Sequence, residues 1–347
     1  MIGRVVVLDR MEDGRAAAAL MVDGRLEDLV IDPKGESPLQ PGAILRGVVD
    51  RLVKGQGGVF VKLPGGSGFL RQVSGLAPGQ RVIVQVSGVA EPGKAVPVTL
   101  RVLFKSQLAI ATPGAPGINI SRRIRDEDLR QDLQDLADEA MKGAPATLGL
   151  IIRSAAEAAG EDAVAEDILS VKELATAVMA DLTGEPELLV DAPDAHELAW
   201  REWTDPAPDE VMEGEGAFER AGVLDAIDDL RSVVAELPAG GSMVLETTRA
   251  LVAVDINTGP DTSLAAGLKA NIAAARDLPR QLRLRGLGGQ IVVDFAPMPK
   301  KDRGTLEQVL RAAFKGEAAE STLAGWTPLG NFELQRKRDR AMLKDLL

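Results

Sequence analysis

The 347 residues contain no cysteine, and histidine occurs once, as His196. Without cysteine there are no disulfides, no thiol nucleophiles and no thiolate zinc sites. A single histidine leaves no histidine cluster for a metal. Aromatic residues are scarce, with seven Phe and three Trp. No run of about eighteen apolar residues occurs, so no segment reads as a membrane span. The opening MIGRVVVLDRMEDGR turns polar at once, unlike a secretory leader. A cytoplasmic location is the default expectation. Catalysis in such a chain would fall to carboxylates and a hard cation.

Net positive charge is also lacking: the chain carries a formal −12. An acidic chain is a poor first candidate for a nucleic-acid partner. The charge is uneven, however. Residues 155–246 hold about 24 acidic and 4 basic side chains, more than the whole excess, whereas residues 269–311 hold about 9 basic and 4 acidic. Basic stretches could meet a polyanion while the acidic middle faces elsewhere.

The hydrophobic rhythm predicts a meander of about three strands over 2–31, closed by Asp32 and Pro33. Over 43–103 five short strands with glycine-rich joints suggest a small barrel such as an OB-fold, or another small antiparallel sheet. Helical spacing follows at 126–141 and 163–182, with strands at 107–111, 147–153 and 188–190, a small α/β unit. The stretch 200–216 reads as loop and 222–236 as helix. In the last third, strands at 243–246 and 250–256, a helix at 265–285, a strand at 290–295 and a helix at 304–314 form a strand–helix–strand unit with two nearly all-apolar strands.

Two of those strands end alike. LVAVDIN puts Asp255 at one carboxyl end and IVVDF puts Asp294 at the other. Ligand sites in α/β sheets gather there, and neighbouring strands would bring both carboxylates to one magnesium ion. A helix cap or turn is the plainer reading of each aspartate. Asn257, two residues on, could orient a carboxylate. Arg280, Arg283 and Arg285 precede the second acidic strand and suit a phosphodiester, or simply end a solvated helix.

The runs GGSMVLETTRALVAVDINTG and NIAAARDLPRQLRLRGLGGQIVVDFAPM closely resemble the catalytic core of the ribonuclease E/G family. The resemblance implies a magnesium-dependent endoribonuclease, with manganese as a substitute and no zinc. It would cut single-stranded RNA to leave a 5′-phosphate, in RNA processing or decay. It assigns Asp255 and Asp294 to the metal and Asn257 to their support. The implied architecture is α+β in several subdomains. An OB-fold (S1-like) barrel at 36–104 is inserted in an RNase H-like subdomain formed by 1–35 and 186–241. A small α/β 5′-sensor spans 105–185, and a DNase I-like catalytic subdomain spans 242–347.

Weaker likenesses extend the assignment. VFVKLPGGSGFL resembles the family's paired aromatic motif, making Phe60 and Phe69 base-stacking candidates. Lys94 matches a basic RNA-contacting position, NISRRIRDED offers Arg122 and Arg123 as phosphate contacts, and Arg283 and Arg336 join the RNA-binding set. LGLIIRSA resembles the strand bearing the 5′-monophosphate sensor, with Arg153 and Ser154 in its roles. Thiolates for the family's zinc link are absent, so a zinc-linked dimer is not expected and the oligomer stays open. An inactive RNA-binding homologue and a scaffold working through the acidic middle are the rival readings.

Overall fold

A computed structural model describes residues 2–53, 57–91 and 93–347. The chain forms two compact units, one from Met1–Lys34 with Met212–Leu347 and the other from Gly35–Val211. The first unit opens with β1 (Arg4–Arg10), β2 (Ala16–Val22) and β3 (Arg25–Ile31), an antiparallel meander in the expected place. Its inward residues, among them Val5, Val7, Ala17, Ala19 and Leu29, pack with Phe218 and Ile227.

The second unit begins with β4 (Ile44–Val53), β5 (Gly58–Leu63), β6 (Gly66–Leu70), β7 (Arg81–Val86) and β8 (Val96–Thr99). They run in the order β4-β5-β6-β8-β7, and β7 pairs back onto β4, closing a five-strand OB-like barrel. Closure removes both exposed edges. The chain continues through β9 (Phe104–Lys105), β10 (Ala109–Pro113), β11 (Gly117–Ile120), α1 (Glu127–Ala140), β12 (Leu148–Ile152) and α2 (Glu161–Ala180). These strands form a sheet of order β11-β12-β10-β9. Leu133 and Ala137 of α1 and Val164, Ile168 and Ala175 of α2 are buried in its core. β13 (Glu187–Val190) pairs with β4. α3 (Ala195–Glu202) lies where no helix was expected. A capping box starts it, Asp194 and Glu197 satisfying each other's backbone N–H groups.

The first unit resumes in β14 (Glu210–Glu213), a strand in a stretch read as loop, which joins the sheet of order β14-β1-β2-β3. Then come α4 (Ala217–Arg220), α5 (Val223–Arg231), β15 (Val234–Glu236), β16 (Ser242–Thr247), β17 (Val252–Asn257), α6 (Leu264–Leu284), β18 (Gly289–Asp294), α7 (Arg303–Phe314), β19 (Ser321–Trp326), β20 (Phe332–Arg336) and α8 (Leu343–Leu346). The helix expected over 222–236 ends early. Ser232 turns extended, and Val234 behind it opens β15, an edge strand on β16. The six strands run β15-β16-β17-β18-β20-β19, with β17 and β18 parallel. α6 is the crossover between them. Ser263 caps its start, and Ala270, Ala274, Leu278 and Leu282 bury its inner face. It stops at Gly286, which takes φ +62° and lies so close to the Ala341 carbonyl that a Cβ would sit 2.0 Å from it.

Candidate active site

The parallel pairing sets Asp255 directly opposite Asp294. Adjacent strands lie about 4.8 Å apart, so the two side chains leave the same face at the same height. Each follows a buried residue, Val254 and Val293, and is itself exposed. The alternation that drives the valines into the core drives the aspartates out of it. Neither carboxylate forms an ion pair with any described residue. Asn257 Nδ2 donates to Asp255 Oδ2 at 2.9 Å. Two adjacent like charges without a counter-ion repel one another, and a divalent cation is what such a pair fits. Among the described residues no group of three or more His, Cys, Asp or Glu could hold a metal, so this pair offers two carboxylate ligands only.

A clamp that the sequence did not single out holds the backbone after Asp294. Asn271 of α6 is fully buried. Its side chain donates to the Ala296 carbonyl at 2.8 Å and accepts from the Ala296 N–H at 2.9 Å. Gly267, one turn earlier, allows this approach: a Cβ there would meet the Pro297 carbonyl at 2.2 Å. Lys300 and Lys301 follow in the same segment, exposed. Phe295, Trp326 and Phe332 pack together at this end of the sheet, and Arg303 lies 4.3 Å over the Trp326 ring. The exposed basic residues nearest to Asp294 in sequence thus come after it in the chain rather than before it.

Arg280, Arg283 and Arg285 are elsewhere. α6 runs back across the sheet, so its last turn lies at the start of β18, five residues or about 16 Å from Asp294. Arg280 pairs with Asp277 and donates to the Leu26 carbonyl. Arg283 pairs with Glu317 and donates to the Glu27 carbonyl. Arg285 donates to Gln281 and to the Ser232 carbonyl, and burial pushes it down to about 10, with Arg280 adding to the fall. Arg336 is only 2% exposed and pairs with Glu317, and its register partner is Gly289, again the far end of β18. Arg283 and Arg336, expected as RNA contacts, thus stand with their guanidinium groups on Glu317 inside the fold.

On the barrel, Phe60 and Phe69 are cross-strand partners, half-buried, with ring centroids 5.0 Å apart. Gly58 makes room for the Phe69 ring; a Cβ there would come within 2.2 Å of it. Arg51, which the sequence reading passed over, stacks 4.6 Å from the Phe60 centroid. Lys94 is exposed and pairs with Glu91 at 2.7 Å. Aromatic faces beside a guanidinium suit unstacked bases.

In the α/β sheet of the same unit, Arg122 is exposed. Arg123 grips Asp205 through both terminal nitrogens, at 2.9 and 3.1 Å, and the Ser154 hydroxyl donates to the same carboxylate. Arg153 donates to the Ser106 carbonyl at 2.7 Å and to Glu202 at 3.0 Å. Burial alone would raise the Glu202 pKa, but Arg153, Lys105 and Arg201 overcome it and hold the carboxyl below its ordinary value. The expected sensor residues thus stand together, with carboxylates already on them.

The model of the Ribonuclease E/G family matches residues 104–213 and 209–339. Ribonuclease E of Nostoc is 28% identical over 95% of this chain and 55% of its own length. Ribonuclease E of Synechocystis is 27% identical over 95% of this chain and 56% of its own. Ribonuclease G of Escherichia coli K12 is 28% identical over 80% of this chain and 64% of its own. The chain spans little more than half the length of the Ribonuclease E relatives. Among the described residues no helix is long and apolar enough to cross a membrane. With more than half of its residues under the family model, and paired strand-end aspartates in its last sheet, the chain belongs to the Ribonuclease E/G family.

Proposed function

We propose that this chain is a magnesium-dependent endoribonuclease that hydrolyses internal phosphodiesters of single-stranded RNA and leaves a 5′-phosphate, in RNA processing or decay in the cytoplasm. The observation that carries the reading is the register of Asp255 opposite Asp294, two exposed carboxylates with no cation paired to them among the described residues. Asp255 and Asp294 would hold the metal, and manganese could replace magnesium on the same oxygens. A bound divalent ion would supply charge stabilisation at the phosphoryl group and a more acidic water. Asn257 holds Asp255 in one orientation through its amide. Asn271 and Gly267 hold the backbone just beyond Asp294, at Ala296 and Pro297, and would steady the strand end that carries it. Lys300 and Lys301, exposed and a few residues after Asp294 in the chain, would meet the phosphate backbone. Phe60, Phe69 and Arg51 would stack bases, with Lys94, Arg122 and Arg123 as the remaining basic candidates from the sequence. The four-subdomain division, with its bounds at 35, 104, 185 and 241, stays part of this reading.

The test is cleavage of a fluorescent, AU-rich RNA oligomer with magnesium, beside an Asp255→Asn/Asp294→Asn variant. Metal-dependent cleavage that the variant loses supports the reading. Tight RNA binding without cleavage in magnesium or manganese would make the chain an RNA-binding homologue instead.

A further inference from the structure

Arg123, Arg153 and Ser154 make the kind of donor set that receives a terminal phosphate: two guanidinium groups and a hydroxyl. In this chain each member of the set already has an internal partner. Asp205 accepts from both terminal nitrogens of Arg123 and from Ser154, while Glu202 accepts from Arg153. The second terminal nitrogen of Arg153 is given to the Ser106 carbonyl. A carboxylate presents two acceptor oxygens and a negative charge, so it takes from these donors the same kind of hydrogen bonds that a phosphate would.

Asp205 is not on a loose arm. Trp203, two residues before it, is 4% exposed, and its N–H closes on the Ala199 carbonyl. The Thr204 hydroxyl donates to the Trp200 carbonyl at 2.9 Å. The turn after α3 is thereby pinned with its carboxylate already against Arg123. An incoming phosphate would have to displace an intramolecular anion whose backbone is fixed, and intramolecular anions compete at high effective concentration.

We infer that Asp205, with Glu202, occupies the anion seat of Arg123, Arg153 and Ser154, so that this chain does not distinguish a 5′-monophosphorylated RNA from a 5′-hydroxyl one. Asp205 is then the residue that sets end preference. The inference rests on the nuclease reading for its substrate class, yet the seat can be tested without cleavage.

The experiment uses the full chain and two matched oligomers, one 5′-monophosphorylated and one 5′-hydroxyl. Each is made as cleavable RNA and as a 2′-O-methyl form that cannot be hydrolysed. For the unaltered protein, kcat/KM and Kd should each agree between the two ends within about twofold. In Asp205→Ala and in Asp205→Asn, the monophosphorylated oligomer should gain at least about tenfold over the hydroxyl one, the factor one charge-assisted hydrogen bond supplies. Adding Arg123→Ala should return the ratio to about one, because the freed donor is gone. A marked monophosphate preference in the unaltered protein overturns the inference. So does a ratio that stays at one in both Asp205 variants while circular dichroism shows them folded. If no RNA is cut by any form, the nuclease reading fails, while the Kd ratios of the 2′-O-methyl oligomers still decide the seat.

Discussion

The two ends of β18 carry charge in opposite ways. At its start, Arg283, Arg285 and Arg336 meet Glu317, Gln281 and backbone carbonyls, so the cations there have internal partners. At its finish, Asp294 stands beside Asp255 with no cation among the described residues. The length of one six-residue strand separates a self-neutralised end from one that is not. A buried charge must be paired because desolvation costs several kcal/mol, whereas an exposed pair of like charges persists only where something else compensates for it. The first arrangement serves the fold. The second is a standing request for a ligand.

The largest expected effect breaks the unneutralised end. Asp294→Asn should lower metal-dependent RNA cleavage by at least about a thousandfold, with the thermal midpoint unchanged or slightly raised, because a repulsion is removed along with the ligand. Steady-state cleavage beside differential scanning calorimetry checks both halves; a variant that lost its fold would show the pair to be structural.

The neutralised class should respond in the other currency. Asp28 is 7% exposed and accepts from Arg340, with Arg283 close by. Burial would raise its pKa, but Arg340 and Arg283 overcome that and hold it below 3.8. Asp28→Asn should cost about 3–5 kcal/mol in urea unfolding at pH 7, the price of stranding a buried partner. With the folded pKa depressed, the contribution of Asp28 is complete above the unfolded value of about 3.9 and fades as pH falls through the folded one. The difference between parent and variant should therefore shrink below about pH 4. A constant difference down to pH 2 would mean that Asp28 acts by shape rather than charge.

Asn271→Ala sharpens the comparison from the backbone side. It should destabilise by about 2–3 kcal/mol, since two buried hydrogen bonds to Ala296 are lost at once. Cleavage should fall more than this stability loss explains, because the strand end that carries Asp294 loosens. Measurement of kcat below the melting onset separates the two.

The smallest effect lies on the barrel. Phe69→Ala should weaken binding of a single-stranded oligomer by about 1–3 kcal/mol, with stability changing less because the ring is only half-buried. Fluorescence anisotropy measures it; equal losses in RNA affinity and in folding stability would make Phe69 a core residue.

How legible each part was depends on the range of the interaction that fixes it. The barrel strands, the meander and the strand–helix–strand unit were legible because alternation and 3.6-residue spacing are local records of burial. The helix expected over 222–236 failed at Ser232, where β16 offered β15 a pairing partner that no local pattern reveals. β19 and β20 were missed for the same reason, as edge and inner strands of a sheet assembled from distant segments.

The sequence by itself determined that carboxylates would do any metal chemistry here, and that two of them end apolar strands; that those strands are neighbours came from the sheet. It also determined the paired aromatics, Phe60 and Phe69. Only the tertiary structure decided which charges are free. Arginines adjacent to Asp294 in the chain lie a strand's length away because a crossover helix runs antiparallel to the strands it joins. Arg153 and Ser154 read locally as a phosphate cradle; that Glu202 and Asp205, about fifty residues further along, lie against them is visible only in the fold. Side-chain identity is local, but the partner that neutralises a charge is set by the fold.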